Sequence, residues 1–246
     1  AFFLLLHMGL IAQTAVGTVV FSDDFEGTNL SGGNPATTYS MLKQTISGDV
    51  PEDAKYYSGR MRVTTPKSSI TRNGVFGNLS AYLSPFVSKL SKLDADSVVW
   101  TFNMRTNRSY ISGFDEGSYG IAAVLLSDVI DYSSASGYAV ICRGVSGTRS
   151  FRLAKFTNGL DADAKFTDIV DGLPGDANIY PSIRVTYIKS SNTWKFYGRN
   201  DGASFANPAQ GEMTFLGSAV DDTYVNTRMS YFGFFMNSKS YSTNTN

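Results

Sequence analysis

Apolar and polar side chains alternate in short runs along most of this chain, and Gly, Ser, Asn and Pro break the runs. In "SVVWTFNMRT" Val98, Trp100, Phe102 and Met104 fall on one face, and Thr101, Asn103 and Arg105 on the other. A period of two marks a half-buried strand. "YPSIRVTYIKSSNTWKFYGRN" predicts a hairpin: Ile183, Val185 and Tyr187 alternate before the turn Ser190-Ser191-Asn192, and Trp194 and Phe196 alternate after it. "GYAVICRGVSGTRSFRLAKF" predicts a second hairpin, turning near Gly144 to Gly147. Further strands are predicted near 18–21, 60–64, 119–126, 213–217 and 229–236. The helical signal is confined to "SAYLSPFVSKLSKL", where Leu83, Phe86, Val87 and Leu90 suit a short helix or turn after Ser84-Pro85. No repeat of solenoid length and no Pro/Gly-rich linker divides the chain. The pattern predicts one all-β domain, a two-sheet antiparallel sandwich.

The first residues depart from this pattern. Phe2 to Ala12 is apolar except for His7, too short for the roughly 20 residues that span a bilayer. The run suits the apolar region of a signal peptide, with Ala15-Val16-Gly17 as a small-x-small cleavage site. Residues 1–17 are therefore read as an N-terminally incomplete signal peptide, and the protein as secreted or on a cell surface. The alternative is a buried N-terminal helix or strand. The sandwich is expected over 18–237, and 238–246 reads as a polar tail or linker toward further modules. About 230 residues suit a large β-sandwich without covalent staples.

Charge and residue usage narrow the chemistry. Lys plus Arg number 21 and Asp plus Glu 21, which argues against non-specific nucleic-acid partners or an anionic membrane. After Gly17 no run reaches membrane length, so no membrane insertion is expected once the signal is removed. Cys142, the single cysteine, alternates with Tyr138 and Val140 and reads as a buried strand thiol. His7 is the single histidine, so removal of the signal would leave none. Ser-His and Cys-His catalysis in their usual forms then fall away, as does the commonest zinc ligand. Asp23, Asp24 and Glu26 offer hard oxygens of the kind calcium takes from loops, and would serve equally as solvated acids at a strand end. Asp161, Asp163 and Asp168 in "DADAKFTD" lack the EF-hand glycine and terminal glutamate and read as a polar loop.

A glycan is held by aromatic faces against its CH groups and by Asn, Asp and Arg against its hydroxyls. Trp100 and Trp194 alternate in step with apolar neighbours and read as core. The polar-face residues Asn103, Arg105, Arg143, Arg152 and Tyr197 are the candidate ligand-binding set, on strands that one sheet could gather.

"FSDDFEG" at the first strand, "GYAVICRGVSGTRSFRLAKFTNGLDADAKFTDIV" and "IRVTYIKSSNTWKFYGRNDGASF" resemble laminin-G-like domains of the concanavalin A-like lectin/glucanase superfamily, of exported bacterial type. The resemblance spans most of 18–236. It implies a jelly roll, glycan binding on a concave sheet or its rim, and a structural calcium, for which Asp24 and then Asp23 are the implied ligands. The glycosidases of that superfamily carry a strand motif of the form Glu-x-Asp-x-x-Glu. Here Glu26, Glu52, Glu116 and Glu212 lack partners at that spacing, and Asp115-Glu116 are adjacent in a turn-like stretch. Its lyases carry an Arg-x-Glu-x-Arg motif, which this chain lacks. The expectation is a non-catalytic carbohydrate-binding or adhesion module whose partner is a glycan or surface polysaccharide. The alternatives are a polysaccharide-degrading enzyme, lyase before glycosidase, or a structural spacer.

Overall fold

A computed structural model describes residues 21–25, 30–33, 37–47, 55–56, 61–63, 69–78, 89–105, 111–144, 149–175 and 179–239. The strands are β1 (Ser31–Gly32), β2 (Thr37–Thr38), β3 (Ser40–Ser47), β4 (Lys55–Tyr56), β5 (Met61–Arg62), β6 (Ile70–Asn78), β7 (Ser97–Asn103) and β8 (Gly120–Ser127). They continue with β9 (Gly137–Arg143), β10 (Ser150–Phe156), β11 (Phe166–Val170), β12 (Pro181–Ile188), β13 (Thr193–Asn200), β14 (Thr214–Val220) and β15 (Tyr231–Ser238). Helical turns among the described residues are three-residue 3₁₀ segments.

Two sheets carry the fold. The large one runs β11-β10-β9-β8-β15-β6-β3 and the small one β14-β13-β12-β7. All their pairings are antiparallel. The molecule is the predicted antiparallel β-sandwich.

Alternation decides what lies between the sheets. Tyr138, Val140 and Cys142 of β9 share one face, and Phe151 and Leu153 of β10 join it. Ile183, Val185 and Tyr187 of β12 and Trp194 and Phe196 of β13 meet them from the small sheet. Trp194 is fully buried, its ring centroid 4.2 Å from Tyr138 of the opposite sheet, 4.9 Å from Tyr187 and 5.8 Å from Trp100. Burying rings of this size dominates core energetics, at about 3–5 kcal/mol for each aromatic truncated to Ala.

A second apolar cluster covers the far side of the large sheet. Phe76, Ala122, Ile141, Phe156 and Phe235 project outward there and are buried by Phe114, Tyr132 and Leu160 from loops. Backbone bonds from Gly159 to Ala135 (2.7 Å) and Leu160 to Tyr132 (2.7 Å) lace these loops together. The large sheet is therefore buried on both faces, which is why all of Gly137–Cys142 is buried despite its alternation.

The predicted strands at 119–126, 213–217 and 229–236 appear as β8, β14 and β15, and 60–64 contains the short β5. Within 18–21, Phe21 is the one described residue, and it is not in a strand. Strands β3 and β6 were not anticipated. β6 reads "ITRNGVFGN", with glycines and polar residues inside a buried strand, so no apolar period marks it. The signal-peptide segment, the polar tail beyond Lys239, the 145–148 turn and most of the 80–93 helical signal lie outside the described residues. β15 extends one residue past the expected boundary at 237, to Ser238.

Candidate functional site

The small sheet turns its other face to solvent. On β7 the outward positions are Ser97, Val99, Thr101 and Asn103, and Arg105 follows in phase. Their antiparallel neighbours on β12 are Ile188, Thr186, Arg184 and Ser182. On β13 the outward set is Thr193, Lys195, Tyr197 and Arg199, and Tyr197 lies opposite Phe215 of β14. Val99 (51%), Phe215 (53%) and Val220 (70%) are exposed on this face.

One end of the face is built around Arg105. Its guanidinium lies 4.7 Å from the centroid of the Tyr180 ring and donates to the Tyr180 hydroxyl at 2.9 Å. Phe205, 62% exposed, meets the same ring edge-on at 6.4 Å. Beside it, the amide of Asn103 donates to Asp201 (3.4 Å) and to Ser182 (3.5 Å). Arg199 ion-pairs with Asp201 and donates to the carbonyls of Asn207 and Gln210. Arg199 thus fixes the 201–211 loop that carries Phe205. The result is a cluster of rings, amide and guanidinium groups, the donor set and apolar faces that sugar rings use.

Further along the face, the Arg184 guanidinium lies 4.7 Å over the Tyr197 ring, and Phe215 packs against that ring at 5.3 Å. A guanidinium held over a ring gains about 0.5–1 kcal/mol at an exposed site and keeps its edge N–H groups available.

Three predicted residues, Asn103, Arg105 and Tyr197, therefore share one exposed face. The expectation that one sheet gathers all five is corrected for Arg143 and Arg152. They lie on β9 and β10, on the outer face of the large sheet, across the sandwich. Alternation identifies the side of a strand, not the sheet to which it belongs. Both arginines are engaged by acids: Arg143 with Asp168 (2.9 Å) and Asp163 (3.5 Å), Arg152 with Asp168 (2.8 Å) and Asp171 (3.4 Å). Asp163 in turn caps the 111–119 loop, accepting from the Phe114 amide at 3.1 Å. Gly113, at φ +138°, permits this approach, since a Cβ there would stand 2.1 Å from the Asp163 carboxylate. Arg143 and Arg152 are clamps for the loops that roof the large sheet.

The expected calcium ligands are also employed locally. Asp23 accepts from the Tyr39 hydroxyl (2.9 Å) and from the Phe25 amide (2.7 Å). Asp24 is exposed, and Glu26 lies outside the described residues. Calcium takes six to eight oxygens. Among the described residues no three His, Cys, Asp or Glu side chains gather to hold an ion. Cys142 is a buried thiol outside any disulfide, as predicted. Asp161 occupies a loop as expected, but Asp163 opens a 3₁₀ turn (Asp163–Lys165) and Asp168 lies on β11.

Tyr180, Arg184, Phe205 and Phe215 escaped the sequence reading. Arg184 was accessible to it, being out of phase with Ile183 and Val185. Phe205 sits in a turn-rich loop where no period signals its placement.

No family model matches the chain, and no curated protein does. Among solved structures it is similar to the Lotus tetragonolobus seed lectin, at 14% identity over 81% of this chain and 86% of that one, with a TM-score of 0.44. Peanut lectin with a nine-residue peptide is similar at 13% identity over 89% and 88%, with a TM-score of 0.45. The catalytic domain of a GH131 β-glucanase from Podospora anserina is similar at 9% identity; 84% of this chain aligns to 66% of that one, with a TM-score of 0.38. These neighbours are described as two lectins and the catalytic domain of a glucanase. A likeness of this degree transfers neither ligand nor activity.

Proposed function

We propose that this chain is a non-catalytic carbohydrate-binding or adhesion module of an exported protein, a laminin-G-like variant of the sandwich that binds glycan on the exposed face of its small sheet. One observation carries the reading: Asn103, Arg105 and Tyr197, chosen for sugar chemistry, meet Tyr180, Phe205 and Phe215 on one solvent-facing surface. Asp201, which accepts from Asn103, is also bound to Arg199 and Ser182. Hydrolysis with retention or inversion calls for two carboxyl groups flanking the bond. A glycan array with the protein, run with calcium and with chelator, tests the reading and the calcium expectation together. Binding to at least one glycan class, weakened by Phe205→Ser, is expected; no signal on any glycan favours a structural spacer.

A second reading has its own support. Arg105 with Tyr180 and Arg184 with Tyr197 place a cation beside a phenol, the pairing a polysaccharide lyase needs to neutralise a uronate and remove a proton. Ultraviolet absorbance of unsaturated products, abolished by Arg105→Ala or Tyr197→Phe, would replace the binding reading with this one.

A further inference from the structure

Resting on that reading, we infer that the glycan is anionic, a polysaccharide bearing carboxylate or sulfate groups, and that it crosses the small sheet along a diagonal of cations. The chain as a whole is neutral, with 21 basic and 21 acidic residues. Its charges are nevertheless sorted between the two outer surfaces. On the large sheet the basic groups are paired with acids: Arg72 and Lys165 with Asp161, Arg143 and Arg152 with Asp168. On the small sheet the outward strand positions include Arg184, Lys195 and Arg199, with Arg105 in phase beyond β7, and none of those positions is acidic. Asp201, just beyond β13, neutralises Arg199 alone. Among the described residues the other acids next to these strands are Asp96 before β7, Glu212 before β14, and Asp221 and Asp222 after β14; Asp96 accepts from Ser190, and Asp221 from Tyr138 and Lys155 of the large sheet. Among the described residues Arg184 and Lys195 form no ion pair.

The register sets these cations in a line. Arg184 lies opposite Thr101, four residues before Arg105, and Lys195 lies opposite Thr186, two residues further along. At about 3.3 Å per residue, Arg105 and Arg184 are about 13 Å apart along the strands, and Arg184 and Lys195 about 7 Å. Each step also moves one strand across the sheet. A globular protein or a compact ligand has no need of such a track; a linear chain with repeated negative groups fits it. Rings flank the track at Tyr180 and Tyr197, offering sugar rings an apolar face between charges. The Arg184 guanidinium, stacked on Tyr197, presents a planar edge suited to the paired oxygens of a carboxylate or sulfate.

The test is calorimetry of the full chain with four probes: polygalacturonate, dextran sulfate, unmodified dextran with a neutral β-glucan, and a random-sequence DNA duplex. Binding to one or both anionic polysaccharides is expected, with affinity falling as salt rises; the two separate carboxylate from sulfate recognition. Arg184→Gln and Lys195→Gln should each weaken it about three- to tenfold while leaving the melting temperature in place. Lys92→Gln, in the 3₁₀ turn before β7 and outside the diagonal, should change nothing. Binding confined to the neutral glucans, or independent of salt, overturns the anionic inference and leaves glycan binding standing. Equal or tighter binding to the duplex overturns it in favour of a general polyanion surface. Loss of binding to every probe overturns both.

Discussion

Replacing Asp221 by Asn should loosen the clasp between the two sheets. Asp221 follows β14 of the small sheet, and its carboxylate accepts from Tyr138 of β9 (2.7 Å) and from Lys155 of β10 (2.6 Å), both of the large sheet. The Thr223 amide donates to it at 3.1 Å, and its main-chain carbonyl takes the Trp194 indole N–H at 3.2 Å. The side chains of Asp221 and Lys155 are 10% and 24% exposed, so the pair is largely shielded. Burial pushes the Asp221 carboxyl upward, but the hydrogen bonds from Lys155, Tyr138 and Thr223 outweigh it and hold the group below its usual value. Asn keeps the shape and one acceptor, yet turns an NH₂ group or an uncharged oxygen toward the Lys155 ammonium. The expected cost is about 2–3 kcal/mol, between a charged hydrogen bond and a fully broken buried pair. For a domain of this size that lowers the melting temperature by roughly 5–10 °C. The sign with pH follows from the lowered value. The carboxylate contributes stability above its unfolded pKa, near 3.8, and loses it as pH falls through the lower folded value. Chemical denaturation from neutral pH down to about pH 3 should show wild type and Asp221→Asn converging as acid is added. Adding Lys155→Met closes a double-mutant cycle, with an expected coupling of about 1–2 kcal/mol. A cost below about 0.5 kcal/mol, or a gap that stays constant into acid, would refute the clasp.

Alkali should weaken the fold through its tyrosines. Burial raises the Tyr138, Tyr187 and Tyr132 phenols above 10.0, so stability should fall once pH exceeds that value, read by circular dichroism against guanidinium. Gly137→Ala should cost about 2–3 kcal/mol in denaturant titration, because a Cβ would stand 1.9 Å from the Leu126 carbonyl oxygen, where the backbone of β8 has no room to retreat. Trp194→Ala should cost about 3–5 kcal/mol and melt both sheets together in one transition seen by fluorescence and circular dichroism. Phe205→Ser should leave the melting temperature within about 1–2 °C while weakening glycan binding on the array, since the ring is exposed.

The inward faces of β7, β12 and β13 were legible because each strand has one wet side. Ile183, Val185, Tyr187, Trp194 and Phe196, picked from alternation, are all fully buried. The turn at Asn192 was legible as well, since its left-handed conformation suits Asn and its side chain accepts from Tyr187. The large sheet was harder. Loops bury its outer side, so β9 is dry on both faces and its period carries no information about direction. Strand β6 places Thr71 and Asn73, both fully buried, on the inward side, which no hydrophobic pattern would suggest. Arg143 and Arg152 were correctly read as polar-face residues. Their acids arrive from β11, the 157–165 loop and Asp171, contacts of long sequence separation that local pattern cannot express.

The contrast between the two outer surfaces is what makes the small sheet the better site. On the large sheet the outward charged groups are already engaged within the fold. Arg143 and Arg152 hold Asp168, Arg72 and Lys165 hold Asp161, and the loops they fix bury Phe114 and Leu160. Stability accounts for them without a ligand. The small sheet's outer face gains little in that way. Phe205, Phe215, Val99 and Val220 remain in water, forgoing the roughly 1.5–3 kcal/mol that full burial of each would return. Arg184 and Lys195 form no ion pair among the described residues, and strands of this length need no cation at those positions to pair. Scattered exposed apolar residues are ordinary on a protein surface. Here they adjoin stacked guanidinium groups on a sheet whose opposite face is a complete core. Single-residue Thr substitutions at Phe215 and Val220, both favourable in strands, would decide whether folding uses them. Unchanged stability with diminished glycan binding would assign their exposure to the ligand.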